Sequence, residues 1–207
     1  MCIRDRDSTG GEGRMTAGDV QWMKTGSGII HSEMPAMKEG KLHGFQLWIN
    51  MPASLKMSKP EYHYIDANEM SMHHDEDKKI KVIAGKFENA EGPIKKHNVE
   101  PIFFDVELKQ NKQFSFSIPK SHNSFVYLVD GRIKIGNLSH DNIEGSKLVL
   151  LTNGNNLKVS AETNAKFLLI AGEPIGESIA RGGPFVMNTK SEIIQAINDY
   201  NNGTFVR

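Results

Sequence analysis

An all-β chain with one helix near its end is the fold class that this sequence predicts. Three observations predict it. The second half is a series of short apolar runs separated by Gly, Asn and Asp. Val129-Asp130-Gly131 and Asn153-Gly154-Asn155-Asn156 have the composition of hairpin turns. Helical spacing of apolar residues stands out in one place, at Ile193, Ile194, Ile197 and Tyr200.

The elements follow in order. Met1–Arg14 is polar, charged and rich in Gly, without an apolar period. Asp7-Ser8-Thr9-Gly10-Gly11 reads as a turn between strands. Met1–Arg6 carry no structural reading and match what a cloning or assembly remnant would look like. Val20 and Trp22, then Ile29 and Ile30, flank Gly26 and Gly28, which predicts strand, tight turn, strand. Phe45–Met51 predicts a strand ended by Pro52. Pro60–Met72 is polar and reads as the crossing out of a first domain. Strands are then expected over Ile80–Ile83, Ile102–Leu108, Phe114–Ile118, Ser124–Val129, Arg132–Ile135, Lys147–Leu151, Lys158–Ala161 and Ala165–Ala171. This spacing suits a barrel or a sandwich. Thr189-Lys190-Ser191-Glu192 is a capping-box pattern that opens the helix, and Gly203 can close it.

Bulk composition narrows the function. A chain of 207 residues suits one large or two small domains and can bury a core. The 25 basic residues balance 25 acidic ones, and no basic stripe carries interleaved aromatics, so direct nucleic-acid binding is not expected. Lys78–Lys81 and Lys95–Lys96 read as solvated edges. The single cysteine, Cys2, allows no internal disulfide and fits a reducing compartment. No apolar run approaches a membrane span, and the first residues do not resemble a signal peptide, so a cytoplasmic protein is expected.

One motif carries chemistry. In the run Gly18–Pro35, GDVQWMKTGSGIIHSEMP, His31 and Glu33 stand two apart behind a Gly-punctuated turn. Residues two apart on a strand share a face, which sets an imidazole beside a carboxylate. Taken alone, such a pair is more often simply polar and hydrogen-bonded. As ligands, one nitrogen and one oxygen suit iron, manganese, nickel or copper, and the pair does not choose among them.

The run resembles the signature of the pirin family of metal-binding bicupins. LHGFQLWINMP, KPEYHYI, IPKSHNSFVYLVDGRIKIG, FLLIAGEP and GGPFVMNTKSEIIQAINDY continue the resemblance in order, from Asp7 to Tyr200. It implies a bicupin, two stacked cupin-like β-barrels. The first spans residues 1–66 and is incomplete. The second spans 67–207, lacks a metal site and ends in the helix. The resemblance implies His31 and Glu33 as metal ligands. The family also carries a His-x-His pair upstream of the turn matched by Asp7–Gly10. This chain is expected to begin after that pair, leaving two of four ligands, an unclosed barrel and iron binding that is weak or absent.

Other residues receive duller readings. His43 lies in a turn before a strand and is within reach of the signature, while His63, His73, His74 and His97 read as solvated loop or linker residues; none is taken as a ligand. Phe114-Ser115-Phe116-Ser117-Ile118-Pro119, where a cupin's first motif would bring ligands, reads as core and strand end. His122 reads as a loop hydrogen-bonding residue, and Trp22 and Trp48 as core. Gln21, Gln46 and Met23 adjoin the signature and can line a pocket, although alternation lets only one of Gln21 and Trp22 point inward. Gly182-Gly183-Pro184-Phe185 reads as a loop.

By resemblance, the expected activity of the complete protein is that of a quercetin 2,3-dioxygenase. Its cofactor would be a divalent metal, Fe(II) first, with Mn, Ni, Cu or Zn as alternatives. Its substrate would be a small planar phenolic such as a flavonol, with Glu33 both ligating and accepting the substrate proton. The alternative is a non-catalytic, metal-dependent regulatory partner of a transcription factor or metabolic enzyme, or an inactive fragment as written. No nucleic-acid or membrane contact is expected.

Overall fold

The computed structural model describes residues 2–8, 10–37, 39–95, 98–136 and 142–206. Its elements are β1 (Cys2–Asp7), β2 (Glu12–Thr16), β3 (Val20–Lys24), β4 (His31–Pro35), α1 (Ala53–Lys56), β5 (Glu61–Ile65), β6 (Ser71–His74), β7 (Lys78–Ala84), β8 (Lys86–Phe87), β9 (Ala90–Glu91), β10 (Ile102–Leu108), β11 (Gln113–Ser117), β12 (Asn123–Asp130), β13 (Arg132–Ile135), β14 (Ile143–Glu144), β15 (Lys147–Leu150), β16 (Asn156–Ala161), β17 (Ala165–Gly172), β18 (Ala180–Gly182), β19 (Phe185–Met187) and α2 (Lys190–Asn201). The fold is mostly β, with one short helix near the C-terminus, as the sequence predicts.

Contacts group Met1–Asn68 with Ile175–Arg207, and Glu69–Pro174 by themselves. The second barrel is expected over 67–207, whereas by contacts residues 175–207 go with the first unit. Specific bonds explain this grouping. The Lys56 amine donates to the Val186 carbonyl at 3.0 Å and to Asn50 Oδ1 at 2.7 Å. The Ala53 amide donates to Glu177 Oε2 at 2.8 Å.

In the first unit, β1 lies between β2 and β4, and β3 pairs with β5. Residues 2–6, which had no structural reading, are part of β1. The expected strand–turn–strand at Gly26 and Gly28 is not a hairpin: β3 pairs with β5 and β4 with β1. β5 therefore keeps the 60–65 stretch, expected to leave the domain, within the first unit. Phe45–Met51 forms no strand. Its residues fit a pleated surface, but a strand exists only where a neighbour pairs with it.

The α2 capping box forms as expected. The Glu192 amide donates to Thr189 Oγ1 at 3.3 Å, and the Thr189 amide donates to Glu192 Oε2 at 2.8 Å. Its apolar face is mostly exposed: Ile194, Ile197 and Tyr200 face solvent, while Ile193 is buried against Gly182. Gly183 and Pro184 make the turn between β18 and β19, with Gly182 and Phe185 paired on either side of it.

The second unit is built from a six-stranded sheet, ordered β15-β12-β17-β10-β7-β6, and a four-stranded sheet, ordered β11-β16-β13-β14. Alternation along β10 sends Ile102, Phe104, Val106 and Leu108 inward and Phe103, Asp105 and Glu107 outward. Phe104, Phe114 and Phe167 are fully buried between the sheets. Phe114 and Ile118 thus take the core role read from the sequence. His122 hydrogen-bonds in its loop, with Nε2 at 3.1 Å from the Glu100 carbonyl oxygen.

Candidate metal centre

β4 brings the His-x-Glu pair to one face, and β1 lies beside it. The antiparallel register sets Asp7 opposite His31 and Asp5 opposite Glu33. Directly opposed residues of an antiparallel pair share a face, so all four side chains belong to one surface. The His31 Nδ1 atom lies 3.3 Å from Asp5 Oδ1 and 3.9 Å from Glu33 Oε1. One ligand atom from each of Asp5, His31 and Glu33 falls within 4.8 Å of the others.

Burial grades this cluster. Asp5 is 1% exposed, His31 is half-buried and Glu33 is exposed. Asp5 and Glu33 are like charges placed directly opposite, an arrangement that is unfavourable unless a cation lies between them. Asp5 is further fixed from β3. The Gln21 amide Nε2 donates to Asp5 Oδ2 at 2.6 Å and to the Tyr62 hydroxyl oxygen at 2.6 Å. Burial pushes the Tyr62 phenol up, and the negative charge of Asp5 adds to this, against the Gln21 bond. Asp7 Oδ1 accepts from the Gly11 amide at 3.1 Å, which closes the turn leading to β2.

The residues fit a divalent metal. With metal–ligand bonds of about 2.1 Å, adjacent ligand atoms stand about 3 Å apart and opposed ones about 4 Å. The separations at His31 span that range. One imidazole and two carboxylates form a hard, mixed N/O donor set of the kind that holds iron, manganese or nickel.

Other candidates lie elsewhere. His43 is exposed and its ring sits 5.2 Å from that of Phe45. His63 is on β5 and His73 and His74 are on β6, so these three are strand residues rather than the loop or linker residues expected. His73 is held between Asp75 and Glu88, each at 3.1 Å on opposite ring nitrogens. His97 lies outside the described residues. Gln21 faces the cluster, Met23 is half-buried on β3, and Gln46 is exposed. Trp48, read as core, is 54% exposed with the Arg181 guanidinium 5.5 Å from its ring centroid. Asp5 and Tyr62 join the site without being expected from the sequence. The signal for Asp5 was the alternation Arg4-Asp5-Arg6-Asp7, which puts both acids on one strand face.

A mostly β fold with a His–carboxylate cluster on one sheet face defines a cupin-type candidate metal protein. The profile of the family described as "Pirin" matches residues 2–49, and that of the "Pirin C-terminal cupin domain" matches residues 103–206. A pirin-like protein of Caulobacter vibrioides is 38% identical over 205 residues, covering 98% of this chain and 73% of that protein. Pirin-1 of Arabidopsis thaliana is 38% identical over 204 residues, covering 97% of this chain and 70% of its own. The crystal structure of quercetin 2,3-dioxygenase from Acinetobacter baumannii superposes with a TM-score of 0.89 at 31% identity, over 99% of this chain and 72% of that one. The chain belongs to the pirin family. Among the described residues, no helix is long and apolar enough to cross a membrane.

Proposed function

We propose that this chain is a metal-dependent oxidoreductase of the quercetin 2,3-dioxygenase type, working in the cytoplasm on a small planar phenolic substrate. The observation that carries the reading is the convergence of Asp5, His31 and Glu33 on one face of the β1–β4 pair. Likeness to the Acinetobacter baumannii dioxygenase supports the substrate class.

His31 and Glu33 would hold the metal, Fe(II) first, with Asp5 as a third ligand. When bound, the metal supplies Lewis acidity that favours the deprotonated flavonol. Glu33 is the most exposed of the three and is the group placed to take the substrate hydroxyl proton. Asp5 and His31, held more tightly, orient the site. Gln21 and Tyr62 keep the Asp5 carboxylate from turning away.

The test is oxygen uptake with quercetin by the chain loaded with Fe(II), beside His31→Ala and Glu33→Gln. The reading expects one metal per chain, uptake that needs both metal and quercetin, and loss of both in His31→Ala. Tight metal binding without uptake would turn the assignment toward a regulatory partner. Wild-type and His31→Ala binding metal equally would end it.

A further inference from the structure

The turn that delivers His31 is gripped by a residue near the far end of the chain. Gly28 is buried with φ of +140°, and a Cβ built on it would lie 2.7, 2.8 and 3.1 Å from three ring carbons of Phe205. The aromatic ring therefore rests directly on the Gly28 backbone, where no other residue type leaves room. The ring is itself held. Phe185 on β19 meets it edge-on at 5.2 Å, and Tyr200 on α2 does so at 6.1 Å. These offset aromatic contacts give the ring a fixed seat.

The other sides of the turn are pinned as well. The Ser27 amide donates to the Ser58 carbonyl at 2.8 Å, and the Gly28 amide donates to the Thr25 carbonyl at 3.0 Å. Two residues later, the Ile30 amide donates to Ser8 Oγ at 3.0 Å, and the Ser8 amide donates to the Ile30 carbonyl at 2.7 Å. His31 follows at once. Ser58 and Ser8 grip the turn by hydrogen bonds, and Phe205 is the contact that presses on it from the C-terminal segment.

We infer that Phe205 is a positioning residue for the metal centre, acting through Gly28 on the backbone that places His31. This rests on the metal reading above, which it deepens. Metal affinity depends on ligand atoms held within fractions of an ångström, and groups that only support ligands change it by about 10–100-fold. Removing the ring frees Gly28, the residue with the widest conformational choice, three positions before the ligand.

The experiment uses the full chain with Phe205→Ala, Phe205→Leu and Thr189→Ala. Thr189→Ala removes the α2 cap and destabilises the same unit without touching Gly28. Ni(II) binding is measured by calorimetry, and metal-free amide exchange is followed over residues 26–34. Expected are binding about 10-fold weaker in Phe205→Ala, substantial recovery in Phe205→Leu, no change in Thr189→Ala, and faster exchange over 26–34 in Phe205→Ala alone. Unchanged exchange over 26–34 in Phe205→Ala overturns the inference, as does equal weakening of Ni(II) binding in Thr189→Ala. If the wild-type chain binds no Ni(II), the metal reading falls, and exchange still decides whether Phe205 holds the turn.

Discussion

The Tyr64 hydroxyl donates to Asp19 Oδ2 at 2.7 Å, and so joins β5 to the turn between β2 and β3. Asp19 also accepts from the Ala67 amide at 3.0 Å and from the Thr16 amide. Burial raises the Asp19 carboxyl, but the bonds from Thr16, Tyr64 and Ala67 together bring it below its ordinary value. The bond to Asp19, then burial and the Asp19 charge, push the Tyr64 phenol up to about 12.

This pair makes stability sag at both ends of the pH range. A carboxyl lowered by folding contributes stability above its unfolded value of about 3.9, and that stability is lost as pH falls through the folded value. A phenol raised by folding contributes fully below its unfolded value of about 10. That part is lost as pH rises toward about 12. Tyr64→Phe is therefore expected to flatten the alkaline limb and to make the acid limb shallower, since Asp19 loses a donor. Urea midpoints across pH check this. Parallel profiles for the wild-type and Tyr64→Phe chains would remove the pair from the account.

Lys56 ties α1 to the returning C-terminal segment, and its amine is buried. Burial lowers its pKa, while Glu177 and Glu192 oppose that. Lys56→Met keeps most of the stem but leaves the Val186 carbonyl and the Asn50 side chain without their charged donor. The expected loss is about 2 kcal/mol. Thermal melts would show it as a lower Tm, with amide exchange speeding around residues 185–187. A Met variant as stable as the wild type would mean that the stem's packing, rather than the bonds, holds the segment.

The second unit was largely legible in the sequence because alternation and turn residues agree there. Ile102–Leu108 reads as a strand from its pattern, and the burial of Phe104 and Val106 bears this out. The first unit was less legible because its ladders join strands that are distant in sequence. Nothing local in Glu61–Ile65 says that it pairs with Val20–Lys24. Phe45–Met51 shows the opposite case, a strand pattern without a partner. At the site, His31 and Glu33 were visible as a strand pair, and the structure sets them side by side. The alternation Arg4-Asp5-Arg6-Asp7 puts Asp5 on a strand face with Asp7, but only the β1–β4 register brings that face to His31 and Glu33. Tyr62 reaches the site through the Gln21 amide and through its hydroxyl beside Asp5, from a strand whose pairing is not local.

Phe104 is the most exacting core position to test. It is fully buried, and its ring meets Phe116 edge-on at 4.9 Å and Phe87 at 5.9 Å. Deleting it leaves a cavity that two sheets with fixed ladders cannot close. Phe104→Ala is expected to cost about 3–5 kcal/mol. Amide exchange over 80–84 and 102–108 should accelerate with it. Protection retained at wild-type level in those strands would mean that the core repacks.

Gln21 offers the sharpest test of the site's support. One amide nitrogen serves both Asp5 Oδ2 and the Tyr62 hydroxyl, each at 2.6 Å. Gln21→Leu keeps the bulk and removes both bonds, so the Asp5 carboxylate loses its shorter side-chain contact and is left to His31 and the Tyr62 hydroxyl. Residues that hold a ligand in place affect metal affinity by about 10–100-fold when changed. Gln21→Leu is expected to weaken Ni(II) binding within that range, while Tyr62→Phe, which removes only the outer hydroxyl, weakens it less. Calorimetric titration of both variants orders the effects. The reverse order would place Tyr62, not Gln21, as the group that holds Asp5.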